Sequence, residues 1–169
     1  MRTSDILRDG FGRVKEAVAE VLEGAEETDL SFRPDSSANT VAWLVWHLSR
    51  VQDDHVAEVA GTEQIWVTGG WRERFDLPLP AGDTGYGHSS EHVARVVACA
   101  GDLAAYHAAV ATRTDEYLQG VADEDLDRVV DRRWEPPVTL GVRLVSVLAD
   151  DLQHAGQAAY VMGLARRRR

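Results

Sequence analysis

Apolar residues recur at three- and four-residue spacings in four segments of about 20 to 30 residues each, the period of helices that bury one face. In residues 4–26 the stripe is Ile6, Leu7, Val14, Val18, Val21 and Leu22, with Ser4 or Thr3 as the expected N-cap and Gly24 weakening the end. A second helix opens at Asn39 or Thr40 and runs through Val59 to a stop at Gly61. A third runs from Ser89 or Ser90 to about Leu118, with Val93, Val96, Val97, Ala100, Leu103 and Ala104 on its buried side and Gly120 at its end. The fourth follows Pro137, from Thr139 to about Leu164. No internal repeat and no long linker divides them. Four such stripes bury one another as a four-helix bundle, which predicts an all-α fold forming a single domain over residues 1–169.

The connections are unequal. Residues 28–38, with Pro34, Asp35 and two serines, read as an ordinary loop. Residues 66–88 carry Gly69, Gly70, Pro78, Pro80, Gly82, Gly85 and Gly87, which no regular element tolerates. Trp66, Trp71, Phe75 and Tyr86 predict that this long loop packs against the body. A second irregular stretch, residues 121–138, contains Trp134, Pro136 and Pro137, and its β-prone part at 128–134 is expected to be extended. The bundle therefore carries long loops after its second and third helices.

Charge narrows the function. Eighteen Lys+Arg against 28 Asp+Glu leave a net charge of −10, a surplus that repels a phosphate backbone and argues against nucleic-acid binding. No run approaches the roughly 18 apolar residues of a membrane span. The lone Cys99 makes no intrachain disulfide, and Asp5, Asp9, Glu16 and Glu20 stand where a secretory signal needs an apolar run, so a cytoplasmic protein is expected. Cys99, between valines and Leu103, reads as a small buried residue rather than a nucleophile. The four arginines at 166–169 close the last helix, where positive charge favours the helix dipole, and read as a solvated helix end.

Bundles build metal and cofactor sites from polar side chains on facing apolar stripes. On the second helix His47 falls in register with Thr40, Trp43, Leu44, Val51 and Asp54. On the fourth, Asp150 and His154 fall among Leu140, Leu144, Val147, Ala158 and Val161, one turn apart, so that their side chains converge. A buried carboxylate costs several kcal/mol unless compensated. A divalent cation held by two imidazoles and a carboxylate supplies the compensation and leaves a position open for catalysis. The alternative is a hydrogen-bonded His/Asp pair in the core. Spacing leaves the register open, since Asp151 also faces inward, as do Asp54 and, less directly, His55, whereas Asp53 points elsewhere. His88, His92 and His107 read as surface or hydrogen-bonded histidines. Phosphate loops, nucleophile elbows and paired-cysteine sites are absent.

The segments NTVAWLVWHLSRVQDD at 39–54 and DDLQHAGQ at 150–157 resemble the DinB/YfiT-like superfamily of metal-binding four-helix bundles. The likeness is greatest to the N-terminal domain of mycothiol-dependent maleylpyruvate isomerase. It implies a divalent metal, zinc or nickel, held by His47, Asp150 and His154, and it chooses Asp150 over Asp151. Asp150 stands where that family carries the longer Glu or His. The isomerase's second domain is not expected here, so its isomerase activity is not implied. The resemblance does imply a thiol S-transferase: a low-molecular-weight thiol such as mycothiol, activated by the metal, attacks a small-molecule electrophile. Trp43 and Trp46 are expected to line the pocket, Arg50 to meet an anionic substrate, and the protein to form a homodimer. A metal-dependent hydrolase using metal-bound water, and a non-enzymatic metal- or ligand-binding stress protein, are the alternatives.

Overall fold

The computed structural model describes residues 2–168. Helix α1 spans Thr3–Leu22, α2 Glu27–Leu30 and α3 Val41–Ala60. Two short helices follow, α4 at Ile65–Thr68 and α5 at Trp71–Phe75. Then come α6 at Ser90–Ala94, α7 at Ala100–Gln119, a 3-10 turn at Asp123–Asp127, strands β1 at Val129–Asp131 and β2 at Val138–Thr139, and α8 at Leu140–Arg166. Helices α1, α3, α7 and α8 pack in a closed ring, α1 on α7, α7 on α3, α3 on α8 and α8 on α1. Val14, Leu44, Leu48, Leu103, Tyr106, Leu144 and Ala158 fill the space between them.

Local chemistry explains the boundaries. The Thr40 hydroxyl accepts the Trp43 N–H at 3.0 Å to start α3, and Gly61, at φ +67°, stops it in the left-handed region. Thr139 caps α8 in the same way. Helix α1 differs from the sequence expectation: its N-cap is Arg2, whose N–H reaches the Asp5 carboxylate at 3.0 Å, rather than Ser4 or Thr3. The expected third helix is two helices. Residues 95–99 leave helical geometry where the β-branched pair Val96 and Val97 occurs; Val96 turns inward and Val97 is exposed. Cys99 consequently is not buried. It caps α7, its Sγ accepting the Asp102 N–H at 3.4 Å.

The fold is mostly helical, with one small antiparallel hairpin in which Val129 pairs with Thr139. It carries Arg133 and Trp134 in its connection and leads directly into α8. The 66–88 connection is not wholly irregular as expected: α4 and α5 form in its first ten residues, before the prolines begin at Pro78. Trp66 and Phe75 are buried as expected, but Tyr86 is almost fully exposed. Asp53 anchors this connection by accepting the N–H groups of Ile65 and Trp66, at 3.0 and 2.8 Å, and the Tyr106 hydroxyl at 2.9 Å. The basic tail is engaged rather than merely solvated. Arg166 donates to the carbonyl oxygens of Val21 and Glu23 at the end of α1, and the Arg168 guanidinium lies 5.0 Å from the Phe32 ring. Arg169 lies outside the described residues. No helix among the described residues is long and apolar enough to cross a membrane.

Candidate metal centre

The packing of α3 on α8 sets the imidazole of His47 opposite Asp150 and His154, and one ligand atom from each lies within 4.8 Å of the others. Thr40 fixes the start of α3 seven residues earlier, about two turns, and so fixes which way His47 faces. Trp43, one turn before His47, stacks on its ring with centroids 4.5 Å apart and planes 13° apart. The His47 and His154 rings meet edge to face at 4.6 Å.

Each imidazole is oriented through its Nδ1. His47 Nδ1 lies against the Thr84 carbonyl oxygen, and His154 Nδ1 lies 2.9 Å from the Asp150 carbonyl oxygen. A carbonyl only accepts, so both Nδ1 atoms carry hydrogen and, in the neutral rings, both Nε2 atoms present a lone pair. This is the arrangement in which ligating histidines are held by their outer nitrogen. Asp150 Oδ2 is cut off from solvent without a well-formed hydrogen bond; His154 Nδ1 lies 3.3 Å from it. Two lone-pair imidazoles and an orphaned carboxylate oxygen suit a divalent first-row cation. Tetrahedral ligation needs donors about 3.4 Å apart, within side-chain adjustment of the present spacing.

Electrostatics favour a neutral His47 and an ionised Asp150, while at His154 a cation has to compete with a proton. Burial pushes the His47 pKa down, outweighing the Thr84 bond that favours its charged form. Burial acts the same way on His154, but the side-chain and backbone contacts from Asp150 outweigh it and raise the pKa. For Asp150, burial favours protonation and is outweighed by the His154 contact and the nearby imidazoles, which hold its carboxyl below the usual value.

The loop that holds His47 is itself tied down. The Asp83 carboxylate accepts the Gly85 N–H at 2.8 Å and the His88 Nε2–H at 2.9 and 3.0 Å, while His88 Nδ1 accepts the Trp43 indole N–H at 3.0 Å. His88 is therefore a structural partner of the site, not the surface histidine that the sequence suggests. Gly85 sits at φ +92°, and a Cβ there would lie 2.8 Å from His47 Nδ1 and 3.1 Å from both Trp43 and Trp46. Only glycine lets the chain pass this close.

A cavity of about 690 Å³ adjoins the cluster, with His47 and Asp150 in its wall. Val51, Val138, Val142 and Val147 supply apolar surface, Tyr86 and Trp134 two aromatic rings, and Asp54, Asp131, Arg133 and Arg143 charged groups. Trp43 and Trp46 are buried behind His47 and do not line this cavity. Nor does Arg50. It is fully buried, ion-paired with Asp53, and bonded to the Tyr106 hydroxyl and the Asp83 carbonyl, so it buttresses the loop instead of meeting substrate. Asp151 is fully buried and joins no ligand cluster among the described residues; Asp54 bonds Gln64, and His55 bonds Arg143. His107 is likewise buried, its Nδ1 at 3.1 Å from Ser49 Oγ, contrary to the surface role expected for it.

Sequence spacing missed Asp83, Thr84, Gly85 and His88. The Asp83-Thr84-Gly85 turn was a visible signal, because aspartate bonding the backbone two residues on, followed by glycine, marks a tight turn. What spacing does not give is the partner, 37 residues before Thr84.

The family model for mycothiol S-transferases matches residues 6–165. A solved structure, a conserved protein from Enterococcus faecalis, is similar with a TM-score of 0.91 and 32% identity, over 98% of each chain. No curated protein matches the chain. With the helical bundle, the two-helix cluster and a match over nearly its whole length in agreement, the chain belongs to the mycothiol S-transferase family.

Proposed function

We propose that the protein is a divalent-metal-dependent thiol S-transferase that joins a low-molecular-weight thiol such as mycothiol to a small electrophile. The observation that carries this reading is the convergence of His47, Asp150 and His154 beside an open cavity. A divalent cation, zinc or nickel, bound there supplies the Lewis acidity that holds a thiol as thiolate near neutral pH. The protein's own groups do the rest. Burial keeps His47 neutral and the Thr84 carbonyl aims its Nε2 lone pair; His154 is aimed by the Asp150 carbonyl; Asp150 contributes the single negative charge. The cavity wall orients the electrophile for attack by sulfur, which forms the S–C bond as the leaving group departs with its electron pair and the thiol proton passes to solvent. No protein nucleophile is required. Cys99 lines a separate cleft with Leu30, Arg74 and Phe75.

Elemental analysis of purified protein beside His154→Ala and His47→Ala tests the site. We expect about one divalent metal per chain, lost in both variants while the helical circular dichroism persists. A panel of thiols and electrophiles then tests the reaction: conjugation that needs both metal and thiol supports the transferase. Metal-dependent turnover of an ester or amide without added thiol would make it a hydrolase instead, and metal binding without any turnover would make it a binding protein.

A further inference from the structure

The cavity beside the metal centre has a composition that selects among electrophiles, and it opposes the anionic substrate that an arginine on α3 would suggest. Its wall contains three carboxylates, Asp54, Asp131 and Asp150, and two guanidiniums, Arg133 and Arg143. Both guanidiniums are already paired. Arg133 places Nε and Nη2 on the two Asp131 oxygens at 2.9 and 2.7 Å. Arg143 reaches the Glu58 carboxylate and His55 through Nη1, and Asp131 through Nη2 at 3.3 Å. Those contacts hold the Asp131 carboxyl well below the usual range, with Arg133 the main cause, so the pairing persists at any physiological pH. An anionic ligand therefore has to displace a carboxylate to gain a guanidinium.

The aromatic residues point the other way. Trp43, Trp46 and Trp66 are buried, whereas Trp134 is 65% exposed and Tyr86 is 93% exposed. Tyr160 on α8 is also exposed but lies outside this cavity. Tyr86 and Trp134 both belong to its wall although they lie on different connections, Tyr86 next to the Gly85 turn that touches His47 and Trp134 in the hairpin loop before α8. Large rings left in water gain from covering, and two of them with Val138 and Val142 form a surface suited to an uncharged ring.

From this geometry we infer that Tyr86 and Trp134 are specificity-determining residues, and that the cavity takes an uncharged electrophile with an aromatic body. This inference rests on the thiol-transfer reading above. With a benzylic halide as the electrophile, the thiol proton passes to solvent, sulfur forms the bond to the benzylic carbon, and the carbon–halogen bond breaks with its electron pair leaving as halide.

The test uses the metal-loaded protein with mycothiol and three electrophiles: benzyl bromide, its para-carboxylate analogue, and chloroacetamide as a small non-aromatic reference. The expected kcat/KM for benzyl bromide exceeds that for the carboxylate by about tenfold or more, each electrophile being corrected for its uncatalysed rate. In Trp134→Ala and in Tyr86→Ala, the ratio of benzyl bromide to chloroacetamide efficiency falls about tenfold through KM, the size of one lost apolar contact surface. Equal or better use of the carboxylate, or an unchanged ratio in both variants, overturns the inference while leaving thiol transfer intact. Absence of turnover with every electrophile would defeat thiol transfer, and binding then decides separately. Saturation-transfer NMR that shows binding of benzyl alcohol but not of benzoate to the wild type, and weakened binding in Trp134→Ala, supports the aromatic site; no such difference overturns it.

Discussion

Replacing Gly85 by alanine strikes the point where the long connection touches the metal centre. Two penalties act together. The residue occupies φ +92°, which alanine adopts at a cost of about 1–3 kcal/mol. Its new Cβ would sit 2.8 Å from His47 Nδ1, 3.1 Å from Trp43 Cζ2 and 3.1 Å from Trp46 Cζ3. None of these atoms is the free end of a flexible chain, and both indoles are buried, so overpacking adds about 1–3 kcal/mol. The sum, roughly 2–6 kcal/mol, corresponds to a fall in Tm of roughly 4–24 °C for a domain of this size. The relief available is withdrawal of the loop, which pulls the Thr84 carbonyl from His47 Nδ1 and weakens metal affinity about 10- to 100-fold. Gly87→Ala is the internal control. It shares the left-handed conformation, φ +72°, but its Cβ meets nothing within 4 Å, so it carries the backbone penalty alone. Thermal unfolding with and without chelator, together with zinc titration calorimetry, reads both effects. If Gly85→Ala is no worse than Gly87→Ala in stability and in zinc affinity, the argument that this glycine exists to let the loop reach His47 is wrong.

Three further outcomes follow from the same geometry. Asp83→Ala frees His88 and the Gly85 N–H, and should lower zinc affinity by about tenfold with a smaller loss of thermal stability, whereas Asp83→Asn, retaining an acceptor, should restore part of it; calorimetry on both variants checks this. Burial lowers the His107 pKa from 6.5 to about 4, so native His107 stays neutral where the unfolded chain takes up a proton; stability is full above pH 6.5 and falls by on the order of 3 kcal/mol as pH drops to 4. Urea unfolding of the metal-free protein across that range should show a shallower loss for His107→Gln, and equal slopes would refute the assignment. Asp151 is fully buried with both carboxylate oxygens unpartnered, and burial raises its pKa well above 3.8, so Asp151→Asn should stabilise the protein at pH 8 by about 1–3 kcal/mol in chemical denaturation; a loss would show that the carboxylate is compensated.

Much of the bundle was legible because its signals are local. Thr40 and Gly61 bound α3 as read, since a cap is settled within four residues. The same logic failed at Val96 and Val97, where the apolar spacing runs on but the chain breaks and restarts at Cys99; a hydrophobic stripe records burial, not hydrogen-bond continuity. The ligand trio was half legible. Asp150 and His154 share a helix, so their convergence is a matter of period, but His47 joins them only through the packing of α3 on α8.

By itself, then, the sequence determined four amphipathic segments, the capped ends of α3 and the capped start of α8, and a His/Asp pair one turn apart. These are consequences of nearest-neighbour sterics and of a period of 3.6 residues, which the order of residues expresses directly. Only the tertiary structure decided that Asp150 converges with the histidines while Asp151 is buried apart from them. It also decided that Arg50 buttresses a loop instead of meeting a ligand, and that Thr84, Gly85 and His88 enclose His47. Each of these depends on which side chain reaches across a gap between elements tens of residues apart, and on what is already paired there. Such pairings are set by packing and desolvation over the whole molecule, and no local pattern carries them.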